Sequence, residues 1–266
     1  MPRPISAILE LLETLAPLEM AEEWDNVGLL VEPLNDIFVQ RMLLTVDLTE
    51  AVLAEAQVFG AEFILAYHPP IFKGVKRLTR RSALERVVSD AIRSGIAVYS
   101  PHTALDAAVG GMNDWLASLL GPGERQPIIP HPRVQGVGAG RLVSLDKPMP
   151  LVEALGHIKA GLRLSGLRVA AAHRHQEGEL IETFAVCAGA GGSVFEKLER
   201  ADLLLTGEMR HHDVLARLSS GQSVVLTEHS NSERGFLSKL QACLQENFPE
   251  LTLRVSTKDV DPLVIQ

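Results

Sequence analysis

The stretch Val224-Val225-Leu226-Thr227-Glu228-His229-Ser230-Asn231-Ser232-Glu233-Arg234-Gly235-Phe236 opens with an apolar, β-prone run and then crosses a polar turn. Beyond it Phe236, Leu237, Leu240, Leu244 and Phe248 recur at helical spacing, so the segment reads as strand, turn and amphipathic helix. Ser230, Asn231 and Ser232 carry side-chain oxygens that accept from the free N–H groups of a first helical turn, which predicts a helix start at this point. His229 then lies just past a strand, and Glu233 lies in or beside the first turn. An imidazole and a carboxylate four residues apart across such a bend can point at one metal ion. Taken alone, the pair is better explained as a solvated loop histidine and an acid that complements the helix dipole. Its company elsewhere in the chain changes that balance.

Working outward, apolar runs and polar turns alternate along the whole chain. Ile5, Ile8, Leu9, Leu12 and Leu15 mark a first helix that ends near Pro17. Residues 22–31 read as a polar turn feeding a short apolar strand, further strands are expected at Arg41–Val46, Phe63–Ala66 and Ile96–Tyr99, and helices from Thr49 to Phe59, Ser82 to Arg93 and Met112 to Leu120. Residues 121–138 hold Pro122, Pro127, Pro130 and Pro132 among several glycines, the clearest linker composition in the chain. Further strands are expected at Arg141–Leu145, Leu167–Ala172, Phe184–Ala188 and Ala201–Leu205. This alternation predicts an α/β protein of two layered α/β domains. The expected boundaries are 1–121 for the first half, 122–138 for the linker and 139–266 for the second half. The N-terminal and C-terminal segments remain free to pack together.

Composition narrows the function classes. The 266 residues are 46% hydrophobic, enough for one large α/β domain or two smaller ones. A net charge of −8 gives no electrostatic support to binding nucleic acid or an anionic membrane. Aromatic residues, at 5%, are too scarce for a base-stacking surface. No apolar run reaches the roughly 20 residues that cross a bilayer, and Met1-Pro2-Arg3-Pro4 lacks the layout of a secretory signal. Cys187 and Cys243 read as small buried hydrophobes in a reducing compartment, with one disulfide left open. A cytoplasmic location is the expectation.

The polar residues fall in a pattern. Asp47, His68, Asp106, the glycines at 189–192, His211, His212 and His229 all come just after apolar strands. In open parallel sheets the functional crevice lies outside the carboxyl ends of the strands, so such residues can meet in space. Each alone is better read as a loop polar group in water; several histidines and carboxylates together favour a shared metal site. Tyr67-His68-Pro69-Pro70 stiffens the backbone beside His68. His102 precedes Asp106 by four residues, with Ser100 and Thr103 as candidate orienting groups. His211 and His212 open a helix beside Glu208, and these three are the candidates for proton transfer. The glycines at 189–192 suit a phosphate contact, but Val194 stands where a dinucleotide fingerprint needs its third glycine. The chain has no G-x-S-x-G elbow and no C-x-x-C pair, so serine-hydrolase and thiol-redox chemistry lack their nucleophile.

Five separated motifs, in order, resemble the Nif-three-like family, whose bacterial members carry the name GTP cyclohydrolase I type 2 homologue. They are Glu23-Trp24-Asp25-Asn26-Val27-Gly28-Leu29, Tyr67-His68-Pro69-Pro70-Ile71-Phe72, His102-Thr103-x-x-Asp106, Leu205-Thr206-Gly207-Glu208-Met209-x-His211-His212-Asp213 and Glu228-His229-Ser230-Asn231-x-Glu233-Arg234-Gly235. The second and fifth look most like the eukaryotic-type branch. The resemblance runs from about residue 5 to the C-terminus. It implies two α/β domains with a dinuclear metal centre at the interdomain crevice, in a toroidal homohexamer. The family's ligands carry over to His68, Asp106, His229 and Glu233, the last bridging two divalent ions, for which Zn, Fe, Mn, Co and Ni are all open. The implied activity is a metal-dependent hydrolase, of GTP cyclohydrolase type 2 kind, acting on a small phosphorylated or nucleotide substrate. The alternative is a non-enzymatic metal carrier or a protein-interaction scaffold. Tyr67 departs from the pattern, since many bacterial members have histidine there, and His102 is the residue placed to compensate. The middle region, about 122–180, is too short for the extra domain that some relatives insert.

Overall fold

The computed structural model describes residues 2–34 and 37–263. Its principal strands are β1 (Gly28–Val31), β2 (Arg41–Thr45), β3 (Phe63–Ala66), β4 (Ala97–Ser100), β5 (Gly123–Gln126) and β6 (Arg141–Met149). They continue with β7 (Arg168–Ala170), β8 (Ile181–Ala190), β9 (Leu203–Glu208), β10 (Ser223–Leu226) and β11 (Thr252–Val255). The chain forms two compact units: unit 1 takes residues 1–105 and 236–266, and unit 2 takes residues 106–235.

Unit 1 is built on a sheet of order β11-β2-β3-β4-β1, in which only the edge strand β1 runs antiparallel to its neighbour. A parallel sheet needs both faces covered, and the sequence supplies this. Leu43, Ile64, Ala66 and Val98 pack with Val52, Leu53 and Ala56 of the helix Glu50–Phe59 and with Val87, Val88 and Ala91 of the helix Ala83–Arg93. The alternate residues Met42, Leu44, Phe63 and Leu65 are equally buried, and the helix Phe236–Asn247 packs along β2 and β11. Hydroxyl side chains cap two of these helices. Thr49 accepts from the Val52 amide at 3.3 Å, and Ser82 accepts from that of Glu85 at 3.2 Å.

Unit 2 carries a mixed sheet of order β7-β10-β9-β8-β6-β5, parallel through β8, β9 and β10 and antiparallel elsewhere. Ala185, Leu204, Val224 and Leu226 form a core with Phe195, Leu198 and Ala201. Arg141 lies inside this unit. Its guanidinium donates to Asp114 Oδ1 at 2.5 Å and to the carbonyls of Gly138, Gly140, Ala107 and Ala108 at 2.7 to 3.2 Å. A buried charge is tolerated when its donors are satisfied in this way.

Two details depart from the sequence reading. Residues 122–138 do not form a free linker: Gly123–Gln126 is the edge strand β5, paired with residues 142–145 of β6, and Ile129–Pro130 pairs with Gly138–Ala139. The contact-based divisions fall instead between Leu105 and Asp106 and between Gly235 and Phe236. Prolines at an edge break no ladder that a neighbour needs, which is why a composition typical of linkers is accommodated in a sheet. The last helix also begins later than the serines suggest. Ser230–Ser232 is a 3-10 turn, and the α-helix starts at Phe236. Cys187 and Cys243 are free thiols, the first of them buried. Among the described residues no helix is long and apolar enough to cross a membrane.

Candidate metal centre

In unit 1, Asp47, His68 and His102 each lie two residues beyond the carboxyl ends of the adjacent parallel strands β2, β3 and β4. The ladder continues past the strands: the Tyr67 amide donates to Thr45 O at 2.8 Å and the His68 amide to Val46 O at 3.0 Å. Ser100 Oγ donates to Tyr67 O at 2.7 Å. This framework sets His68 Nδ1 2.9 Å from Asp47 Oδ1. His102 Nδ1 lies 2.8 Å from Asp25 Oδ1, and the Thr103 amide and hydroxyl both donate to Asp25 Oδ2. Burial raises the Asp25 pKa, but the hydrogen bonds from His102 and Thr103 outweigh that effect and hold the carboxyl below its ordinary value. Tyr67 is buried and packs against both imidazoles, at centroid separations of 5.0 Å from His68 and 5.6 Å from His102.

In unit 2, His229 follows β10 by three residues. Its Nδ1 lies 2.7 Å from Oε1 of Glu208, the last residue of β9, and its Nε2 lies 3.5 Å from Oε1 of the buried Glu233. Two buried polar side chains tie Asp106 and the His229–Glu233 turn to β8. Asn113 Nδ2 donates to Asp106 O at 3.1 Å while its Oδ1 accepts from the Ala188 amide at 2.9 Å. Ser232 Oγ accepts from the Gly189 amide at 2.8 Å and donates to His229 O at 2.6 Å. Asp106 and the His229–Glu233 turn are thus fastened to neighbouring residues of one strand.

The donor chemistry fits a divalent cation. A carboxylate only accepts hydrogen bonds, so in a neutral ring paired in this way the proton sits on Nδ1 and Nε2 is the nitrogen with the lone pair. Metal-ligating histidines are held by carboxylates in the same way. Two ligands about 2.1 Å from a tetrahedral ion sit about 3.4 Å from each other, close to the 3.5 Å between His229 Nε2 and Glu233 Oε1. Gly189 preserves this space. A Cβ there would lie 2.8 Å from both Glu233 Oε1 and His229 Nε2, and its φ is +60°.

Of the residues proposed for proton transfer, Glu208 is engaged with His229. His211 and His212 are exposed at the start of the helix His211–Ser219, with their rings edge to face. Two amides of the glycine turn are engaged within the fold: those of Gly189 and Gly191 donate to Ser232 Oγ and Thr206 Oγ1. Sequence reasoning missed Asn113 altogether, and it named Asp25 only as part of a motif. An asparagine inside an apolar helical run was the available signal for the first.

The whole chain has counterparts among known proteins. The family model described as Duf34/NIF3 (NGG1p interacting factor 3) matches residues 4–262. The chain is 42% identical to NIF3-like protein 1 of Drosophila melanogaster, an alignment covering 98% of this chain and 88% of the relative. The chain belongs to the NIF3 family. NIF3-like protein 1 of Mus musculus is 36% identical, over 97% of this chain and 92% of that protein. A Bacillus cereus protein related to NIF3 shares the fold, with a TM-score of 0.87 over all of both chains at 21% identity. In this NIF3-family chain, the motifs around Asp25, His68 and His102 build the unit 1 group, and those around Glu208 and His229 build the unit 2 group.

Proposed function

We propose that this NIF3-family chain binds two divalent metal ions through His68, Asp106, His229 and Glu233, and that it uses them for hydrolysis. The observation that carries this reading is the carboxylate behind each histidine ligand, Asp47 for His68 and Glu208 for His229. His68, His229 and Glu233 each offer one ligand atom of a kind such ions take. Bound divalent ions supply Lewis acidity and lower the pKa of a coordinated water. The chain's own groups contribute orientation. Asp47 and Glu208 select the Nδ1–H tautomer, and Asn113 and Ser232 hold Asp106 and His229 to β8. His211 and His212 are the remaining candidates for proton transfer.

An open cleft of about 400 Å³ lies beside Glu208. Glu196, Glu208 and Asp213 line it, and its Arg210 is paired with Asp213. A phosphorylated or nucleotide substrate would therefore need its charge covered by the bound cations. The second reading is a metal carrier or protein-interaction scaffold, favoured by the family description as an NGG1p interacting factor. Both readings include a closed homohexamer and a reducing, cytoplasmic setting, the latter in keeping with two free thiols.

Metal-loaded protein offered a panel of nucleotides and phosphoesters is expected to turn over at least one of them, and Glu233→Ala is expected to abolish that turnover. Silence across the panel with full metal content favours the carrier or scaffold. Elemental analysis should find His229→Ala and Glu233→Ala depleted of metal yet folded; unchanged content in both overturns the metal reading.

A further inference from the structure

Among the described residues His68, His102 and His229 each hold a carboxylate on Nδ1, as does His173 in an exposed surface pair with Glu177; of the first three, the four-residue ligand set uses only two. The third is His102, and its setting is the most constrained of the three. The Asp25 side chain behind it is fully buried, whereas Asp47 and Glu208 are 42% and 55% exposed. Asp25 is itself fixed by Thr103, whose Oγ1 also accepts from the Glu22 amide at 3.0 Å. The next residue, Asn26, donates to Ile71 O, so the segment that orients His102 is tied to the segment that follows His68. His102 has a φ of +29°, sparsely populated for a residue with a Cβ. Such backbone persists where the surroundings over-determine it and clusters at functional sites. Its ring is 15% exposed and stands edge-on to that of His68, with centroids 5.4 Å apart.

We propose that His102 is a further metal ligand, presenting Nε2 to a second divalent ion beside the one held by His68. This rests on the metal reading above and extends it. The tautomer argument applies unchanged: Asp25 accepts from Nδ1, so Nε2 is the lone-pair nitrogen. Two-metal sites hold their ions about 3.5–4 Å apart, and the His68 and His102 rings are neighbours. Asp25 is then the positioning residue for His102, as Asp47 is for His68. A buried carboxylate with several donors and a strained backbone exceed what a solvated histidine would require.

The test titrates the full-length, metal-stripped chain with Co(II). Bound metal is counted by elemental analysis, and coordination is read from the visible absorption. The unmodified protein is expected to bind two ions per subunit. His102→Gln, which retains a hydrogen-bond donor for Asp25, is expected to lose one ion or bind it at least tenfold more weakly. Asp25→Asn is expected to weaken the same ion about 10–100-fold, with the other ion unaffected in both variants. X-ray absorption on unmodified protein needs no variant, and it should count three imidazoles over two ions. Co(II) binding, affinity and spectrum identical in folded His102→Gln and unmodified protein would overturn the assignment and leave the four-residue metal reading standing. So would an imidazole count of two. If the unmodified chain binds no ion, both readings fall.

Discussion

Gly189 shows how one missing side chain shapes the candidate site. Its φ of +60° is left-handed, and a Cβ would press on the donor atoms of His229 and Glu233. Gly189→Ala therefore combines a backbone cost of about 1–2 kcal/mol with displacement of the His229 and Glu233 side chains. Bound metal, measured by elemental analysis, should fall well below that of the unmodified protein, while circular dichroism still reports a folded α/β chain. Asp202 acts purely on stability. Its carboxylate accepts from Arg174, from the amides of Glu182 and Thr183 and from the Thr183 hydroxyl. Burial raises its pKa, but these donors together bring it below the ordinary value. A depressed folded-state pKa contributes stability that is present above the unfolded value, near 3.9, and is lost as pH falls through the folded one. Asp202→Asn should thus cost about 1–3 kcal/mol at pH 7, and the gap between the two denaturation curves should narrow below pH 4. A gap independent of pH would contradict this account.

At the scale of elements, the His229–Glu233 turn is held by a polar staple as well as by packing. Ser230–Ser232 forms a 3-10 turn, and Ser232 Oγ links that turn to the Gly189 amide of β8. Removing the hydroxyl leaves a buried N–H without its acceptor, a loss of about 1–3 kcal/mol. Ser232→Ala should lower the melting temperature, and it should weaken metal binding as well, because the same hydroxyl donates to His229 O. Thr49→Ala, which removes only the cap of the helix Glu50–Phe59, is the control. It should cost about 0.5–2 kcal/mol and leave metal content unchanged. Equal metal loss in both variants would mean that general destabilisation, and not the staple, governs the site.

For the molecule as a whole, assembly and metal loading are the measurable consequences. The proposed ring of six copies of a 28.9 kDa chain amounts to about 173 kDa, and closed rotational symmetry is the common mode of association for soluble subunits. Light scattering across the micromolar range should return that mass, and a persistent monomer would exclude the ring. Ligands that bind only the folded state stabilise it by about 2.7 kcal/mol at a hundredfold excess over Kd. The metal-loaded chain should accordingly melt at a higher temperature than the stripped one.

Local pattern was enough to determine most strands and helices and the placement of His68, Asp106 and His229 beyond apolar runs; the strands at Gly123–Gln126 and Thr252–Val255 were not among them. Periodicity and cap chemistry act over a few residues, and both units obey them. The composition of 122–138 misled for the same reason: proline content reports local stiffness, whereas the pairing of β5 with β6 depends on a strand about 20 residues away. Through-space partners were beyond local reading. Asp47 lies 21 residues from His68, Asp25 77 from His102 and Glu208 21 from His229. Which carboxylate meets which imidazole, and so which nitrogen is left to bind, follows from strand order and register. Only the tertiary structure sets those. It likewise set Glu208 against His229 Nδ1, and it placed the Asn113 side chain between Asp106 O and the Ala188 amide.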